Sequence, residues 1–64
     1  MNYKITGKEP HEPDKEFTSI VEARNEQHAK KYLRWLHCLY RDNKPIRLTA
    51  MPTNEDAQYF ADRF

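Results

Sequence analysis

Residues 25 to 41 read Asn25-Glu26-Gln27-His28-Ala29-Lys30-Lys31-Tyr32-Leu33-Arg34-Trp35-Leu36-His37-Cys38-Leu39-Tyr40-Arg41, and the reading of this stretch decides the fold. Ala29, Tyr32, Leu33, Leu36, Leu39 and Tyr40 recur at intervals of three and four, which at about 3.6 residues per turn gathers them into one apolar stripe. The spacing predicts an amphipathic helix over 26–41, with Tyr32, Leu33 and Leu36 turned inward and Arg34 turned to water. Asn25 suits the N-cap because its side-chain oxygen can accept from an unpaired first-turn amide, and Glu26 sits where the helix dipole favours an anion. Arg41 falls in the last turn, where a cation is favoured, and Asp42-Asn43-Lys44-Pro45 supplies the stop.

The segments on either side alternate instead. Tyr3, Ile5 and Gly7 interleave with Lys4, Thr6 and Lys8, the period-two pattern of a strand over 2–8 with one buried face. Residues 9 to 15 hold two prolines and no apolar side chain, which marks an exposed connection. Phe17, Ser19, Val21 and Ala23 form the inner row of a second strand over 16–23, paired with the first as a hairpin. Past the helix, Ile46, Leu48 and Ala50 alternate with Arg47, Thr49 and Met51 as a third strand over 45–51. Thr53-Asn54-Glu55-Asp56 resembles a capping box, and Ala57, Phe60, Ala61 and Phe64 follow at helical spacing, which predicts a short helix over 54–63.

The expected architecture is therefore α+β: one β-β-α-β-α domain over residues 1–64, with a three-stranded sheet packed on one long helix. A right-handed crossover through that helix places the third strand parallel to the second and beyond the first, giving the order 2-1-3. Sixty-four residues allow a single small core. With 33% charged and 38% hydrophobic residues, including three Phe, four Tyr and one Trp, the chain is polar yet able to fold.

The strand-strand-helix opening, carried by Tyr3-Lys4-Ile5-Thr6-Gly7, Phe17, Val21-Glu22-Ala23, Asn25-Glu26 and Ala29, resembles that of the archaeal LX ribosomal proteins and their eukaryotic counterparts, a hairpin-to-helix start shared by many small phage proteins. The resemblance covers the first half of the chain. That family continues into a Gly-Ser-x-His turn and a basic strand, where this chain reads Leu39-Tyr40-Arg41-Asp42-Asn43-Lys44-Pro45. The resemblance thus implies a topology and assigns no functional residue.

Net charge is only +1, which argues against a general polyanion binder, but its distribution is uneven. Residues 9 to 22 carry −4 and residues 23 to 52 carry +5. On the long helix, Lys30, Arg34, His37 and Arg41 fall on one ridge beside the apolar stripe, a track for phosphates or for an acidic protein surface, which Lys44 and Arg47 could extend. His28, Lys31, Trp35, Cys38 and Asp42 run along the other flank, where an exposed Trp35 would be an interface anchor. Tyr59 is expected to point away from the apolar side of the final helix, toward a partner.

One cysteine excludes an internal disulfide, and Cys38 with three scattered histidines makes no zinc pattern, so no metal or cofactor is expected. The acids Glu9, Glu12, Asp14 and Glu16, with His11 among them, lie in a proline-broken exposed loop that cannot separate their pKa values by burial. No catalytic residue is assigned. The sequence has no signal-peptide pattern and no run long enough to span a bilayer, which leads to the expectation of a cytoplasmic protein, in the host cytoplasm if phage-encoded. Two functions fit these residues. One is a non-enzymatic phage or mobile-element factor that docks on a larger host protein and modulates or inhibits it, through Lys30, Lys31, Arg34, Trp35, His37, Arg41, Arg47 and Tyr59. The other is an RNA- or DNA-binding accessory protein using the basic ridge, like the LX proteins. An exposed strand edge would also permit dimerisation.

Overall fold

A computed structural model describes residues 1–63 of the chain as a mixed sheet with one α-helix against its face. Strand β1 spans Asn2–Lys8 and β2 spans Glu16–Glu22, paired antiparallel with Tyr3 opposite Val21 and Gly7 opposite Phe17. Helix α1 spans Glu26–His37. Short strands β3 (Tyr40–Arg41) and β4 (Lys44–Pro45) form a separate two-stranded hairpin, β5 spans Leu48–Pro52, and β6 is Tyr59–Phe60, followed by a 3-10 turn over Ala61–Arg63.

The large sheet has the order β5-β1-β2-β6. Its three long strands stand with β1 in the middle and both neighbours antiparallel to it. The expected three-stranded sheet is thus one strand short, since β6 adds to the outer edge of β2 in parallel at Val21 and Glu22.

Alternation on the strands builds the core. Tyr3, Ile5, Val21 and Leu48 face α1 and join Ala29 and Leu33 from it, with Ala23, Leu39 and Ala61 completing the cluster. Ile5, Val21 and Leu33 are the largest side chains sealed entirely from solvent. Gly7 is part of this fit: a Cβ there would stand 2.5 Å from Leu48 Cδ2 and 3.1 Å from the Phe17 ring, so a side chain at this position would oblige the Leu48 methyl to move aside.

The N-terminus of α1 matches the sequence reading. Asn25 is extended, and its Oδ1 accepts the His28 amide at 2.8 Å. The C-terminus comes four residues earlier than residue 41. Cys38 adopts a left-handed conformation with φ 51°, and the amides of Cys38 and Leu39 both donate to the Arg34 carbonyl. Leu39 leaves the helix at this turn and is buried at 4% exposure, while Tyr40 is carried outward. Asp42 and Asn43 both have positive φ, 53° and 66°, the backbone of a type I′ turn joining β3 to β4. These two residues, expected merely to stop a helix, instead close a hairpin.

That hairpin also shortens the third long strand, which begins at Leu48 and not at residue 45. Lys44–Pro45 pairs with Tyr40–Arg41, and the Ile46 amide donates to the Leu39 carbonyl at 3.1 Å, so this segment is committed before it reaches β1.

The expected helix over 54–63 does not form. The Thr53 hydroxyl accepts the amide of Glu55, two residues on, where a capping box would bind the third residue. Because β5 and β6 lie at opposite edges, residues 53 to 58 must cross the sheet. They cross the face away from α1. Asn2 Nδ2 donates to the Glu55 carbonyl at 2.9 Å, Lys4 Nζ meets Glu55 Oε2 at 2.6 Å, and the Gln58 amide donates to the Ile20 carbonyl at 2.8 Å. Ile20, on this second face and outside the main core cluster, is accordingly only 7% exposed. Phe64, expected on the apolar side of the final helix, lies outside the described residues.

Replacing Cys38 by glycine removes a Cβ from a left-handed residue, and urea denaturation should show a gain of about 0.5–1 kcal/mol after the extra freedom of glycine in the unfolded chain is offset. Hydrogen bonds from Lys4 and Thr53, with the Lys4 charge, hold the Glu55 carboxyl below the usual glutamate range. A depressed folded pKa contributes stability above the unfolded value and loses it as pH falls through the folded one. Glu55→Gln should therefore be less stable than the native chain at neutral pH, with the difference closing in melts below about pH 4.

Candidate functional site

The residues singled out from the sequence do not form one ridge. Arg41 leaves the helix altogether and sits on β3. Arg34, expected in water, is half-buried, with Nε and Nη2 donating to the Ile46 carbonyl at 3.3 and 3.1 Å. Leu36, expected inward, keeps 37% of its surface although it stands seven residues from buried Ala29 on the same side of the helix. The helix turns its buried side about Ala29 and Leu33, and its last turn overhangs the core. Arg34 reaches back to the sheet because Ile46 returns beside it, a contact that helical spacing cannot reveal.

Tyr59 is likewise not a free partner contact. On β6 it faces α1, with its ring centroid 6.4 Å from that of Tyr32 and 5.5 Å from that of His37, the latter edge to face. The reason is that residues 59–60 form a strand and not the outer side of a helix, which reverses the direction of the ring.

The remaining candidates fall into three places. Arg41 and Arg47 come together in a cleft of about 370 Å³ with Lys8, Glu9 and Glu16, between the first loop, the hairpin and the start of β5. Lys30 and Arg34 share the flank of α1 that faces Ile46, one turn apart. Lys31 and Trp35 line a second cleft of about 320 Å³ on the other flank, with Arg24, His28, Tyr32 and Ala61. Here Asp62 draws in His28 Nε2 at 3.1 Å and Arg24 Nε at 3.8 Å, so this flank is partly neutralised.

Charge pairing separates the two halves of the surface. Ion pairs join Lys4 to Glu55, Lys15 to Glu12, and Arg24 to Asp62, whose carboxylate also lies 3.1 Å from His28 Nε2. Among the described residues Lys30, Lys31, Arg34, Arg41, Lys44 and Arg47 have no carboxylate within ion-pair distance. In the same region three large apolar side chains are exposed: Trp35 at 56%, Leu36 at 37% and Tyr40 at 49%. Tyr40 was assigned to the buried stripe by its spacing. The Asp42-Asn43 turn signature between Tyr40-Arg41 and Lys44-Pro45 was the signal that could have placed it on a hairpin.

Comparison with protein families, with characterised proteins and with solved structures returns no match. No group of three or more His, Cys, Asp or Glu side chains among the described residues is placed to hold a metal ion. No helix among them is long and apolar enough to cross a membrane. The thiol of Cys38 is exposed, at the turn that ends the helix.

The Arg34 contact gives a stability prediction. Its two bonds to one carbonyl need the forked guanidinium, so Arg34→Lys and Arg34→Gln should each lose about 1 kcal/mol in urea denaturation. Full retention of stability in Arg34→Lys would mean that charge, and not the fork, is what matters.

Proposed function

We propose that the chain is a non-enzymatic binding module that docks on an acidic surface of a larger protein, using the end of α1 and the β3–β4 hairpin, in the manner of a small phage or mobile-element factor that modulates a host protein. The observation that carries this reading is the set of cations without carboxylate partners between residues 30 and 47, alongside exposed Trp35, Leu36 and Tyr40. With a net charge of only +1, such a local concentration is a directional feature of the surface. Unpaired cations around exposed aromatic and aliphatic side chains match the anatomy of an interface, in which an apolar centre supplies affinity and charges supply register and on-rate. Arg41, Tyr40 and Arg47 are the central contacts in this reading, with Lys31, Trp35 and His37 along the helix end.

A second reading is favoured by one detail. Tyr40 is an exposed aromatic beside Arg41 and Lys44 on the same hairpin, the pairing of a stacking face with cations that single-stranded nucleic acid binding uses. In that case the protein would be an RNA- or DNA-binding accessory factor of the ribosomal LX kind.

The test is affinity capture from nuclease-treated host lysate with the native chain, Arg41→Glu and Tyr40→Ala, followed by measurement of the purified partner's affinity. An acidic protein bound at least about tenfold more weakly by Arg41→Glu supports docking through the hairpin. Undiminished capture by both variants overturns it. Fluorescence anisotropy with single-stranded RNA and duplex DNA at low salt supplies the other arm: binding that falls steeply with salt replaces the first reading by the second.

A further inference from the structure

The two edges of the large sheet are closed to different degrees. The outer edge of β2 is taken by β6 and by the Gln58 amide on the Ile20 carbonyl. Among the described residues no strand lies beside the outer edge of β5. The Thr53 amide donates to the Asn2 carbonyl, and alternation in an antiparallel pair then turns the backbone groups of Met51 and Thr49 toward β1 as well. Those of Leu48, Ala50 and Pro52 point outward. Proline lacks an amide, so the outward donors are the N–H groups of Leu48 and Ala50.

Three features bound this edge. At its start the Ile46 carbonyl is occupied by the Arg34 guanidinium and the Ile46 amide by Leu39, so an added strand cannot run past that point. Leu48 is only 4% exposed, which leaves Ala50 as the centre of the accessible stretch, with the Pro52 carbonyl beyond it. The strand itself, Leu48-Thr49-Ala50-Met51-Pro52, carries no charge, although charged side chains are the usual protection of an edge. Charge lies to either side instead: Lys30 and Arg34 on the flank of α1 above the edge, and Arg47 at its foot on the opposite face, none with a carboxylate within ion-pair distance among the described residues, although Arg47 shares its cleft with Glu9 and Glu16. On that opposite face Met51 is 62% exposed.

We infer that the edge of β5 receives an extended acidic segment of the partner protein as a fifth strand, with its backbone paired at Ala50 and its acidic side chains directed to Lys30 and Arg34 on one face and to Arg47 on the other. This deepens the proposed docking function and rests on it. A second copy of the chain is the competing occupant. Two-fold pairing of β5 with β5 would set the Lys30 and Arg34 flanks of two α1 helices face to face, cation against cation, whereas an acidic strand meets the same flanks with opposite charge.

The experiment is an NMR titration of the folded full chain with a capped peptide alternating glutamate and valine, against a control alternating lysine and valine, following amide exchange at Ala50. The glutamate peptide should slow that exchange and the lysine peptide should not. Ala50→Pro removes the outward donor while leaving the ladder to β1 intact, and should weaken binding about tenfold. The double variant Lys30→Glu with Arg47→Glu keeps the backbone unchanged and should abolish the preference for glutamate, which keeps the test decisive if Ala50→Pro does not fold. Unchanged exchange at Ala50, or equal binding of both peptides, overturns the inference. Protection of Ala50 that grows with protein concentration alone assigns the edge to a second copy and also overturns it. A natural partner that binds Ala50→Pro normally but is lost with Arg41→Glu leaves the docking function standing without this strand.

Discussion

Arg34 ties the helix to the returning chain through both its backbone and its side chain. Its carbonyl accepts the amides of Cys38 and Leu39, which closes the left-handed turn that ends α1. Its guanidinium then holds the Ile46 carbonyl, twelve residues on in sequence. Between these anchors the chain has only enough length for Leu39 to enter the core and for a tight hairpin to reverse direction before β5 begins. A helix running on to residue 41 would carry Leu39 and Tyr40 along its own surface, and Ile46 would no longer come back beside Arg34. The position of β5, and with it the third strand of the sheet, follows from this one junction.

Among the described residues there is one α-helix, so the second face of the sheet has no helix to cover it. Here α1 covers one face, and an extended strap over residues 53 to 58 covers part of the other, held by Asn2, Lys4 and the Ile20 carbonyl. The strap is economical because it satisfies its polar groups against side chains and carbonyls that the sheet already presents. It also explains why Ile20, which breaks the polar alternation of β2, is not a misplaced residue: it is the apolar contact beneath the crossing chain. The half of that face toward Thr6, Thr18, Thr49 and Arg47 stays beyond the strap.

The same arrangement sorts the charges. The strap and the last turn bring Glu55 to Lys4 and Asp62 to Arg24, so acids from the end of the chain neutralise cations nearer its beginning. None reaches the end of α1 or the hairpin. The surface that remains cationic is thus a consequence of where the C-terminal segment crosses, and it coincides with the exposed aromatics of the last helical turn and β3. The open edge of β5 lies between these cations, which is why a binding surface built of backbone donors and flanking charge is a coherent reading of this face.

Much of the framework is legible locally. The alternation of Tyr3, Ile5 and Gly7, the capping of the helix by Asn25 and the inward positions of Ala29 and Leu33 depend on periods of two and about 3.6 residues, which adjacent side chains set by themselves. The α+β class and the central place of the first strand come from those periods together with the order of elements. What local pattern could not decide is where a signal competes with a distant partner. Leu39 and Tyr40 fit the helical stripe but leave it at a left-handed Cys38, Thr53 starts a turn where a helix cap was legible, and Arg34 bonds Ile46 where spacing put it in water. Each outcome is settled by hydrogen bonds or burial gained between segments far apart in the chain. Sequence by itself therefore determined the first two strands, the presence of a third beside them, the helix start and the inner rows around Ile5, Val21, Ala29 and Leu33, while only tertiary packing decided where the helix stops, the short strands that follow it, how the end of the chain crosses the sheet and which cations remain unpaired.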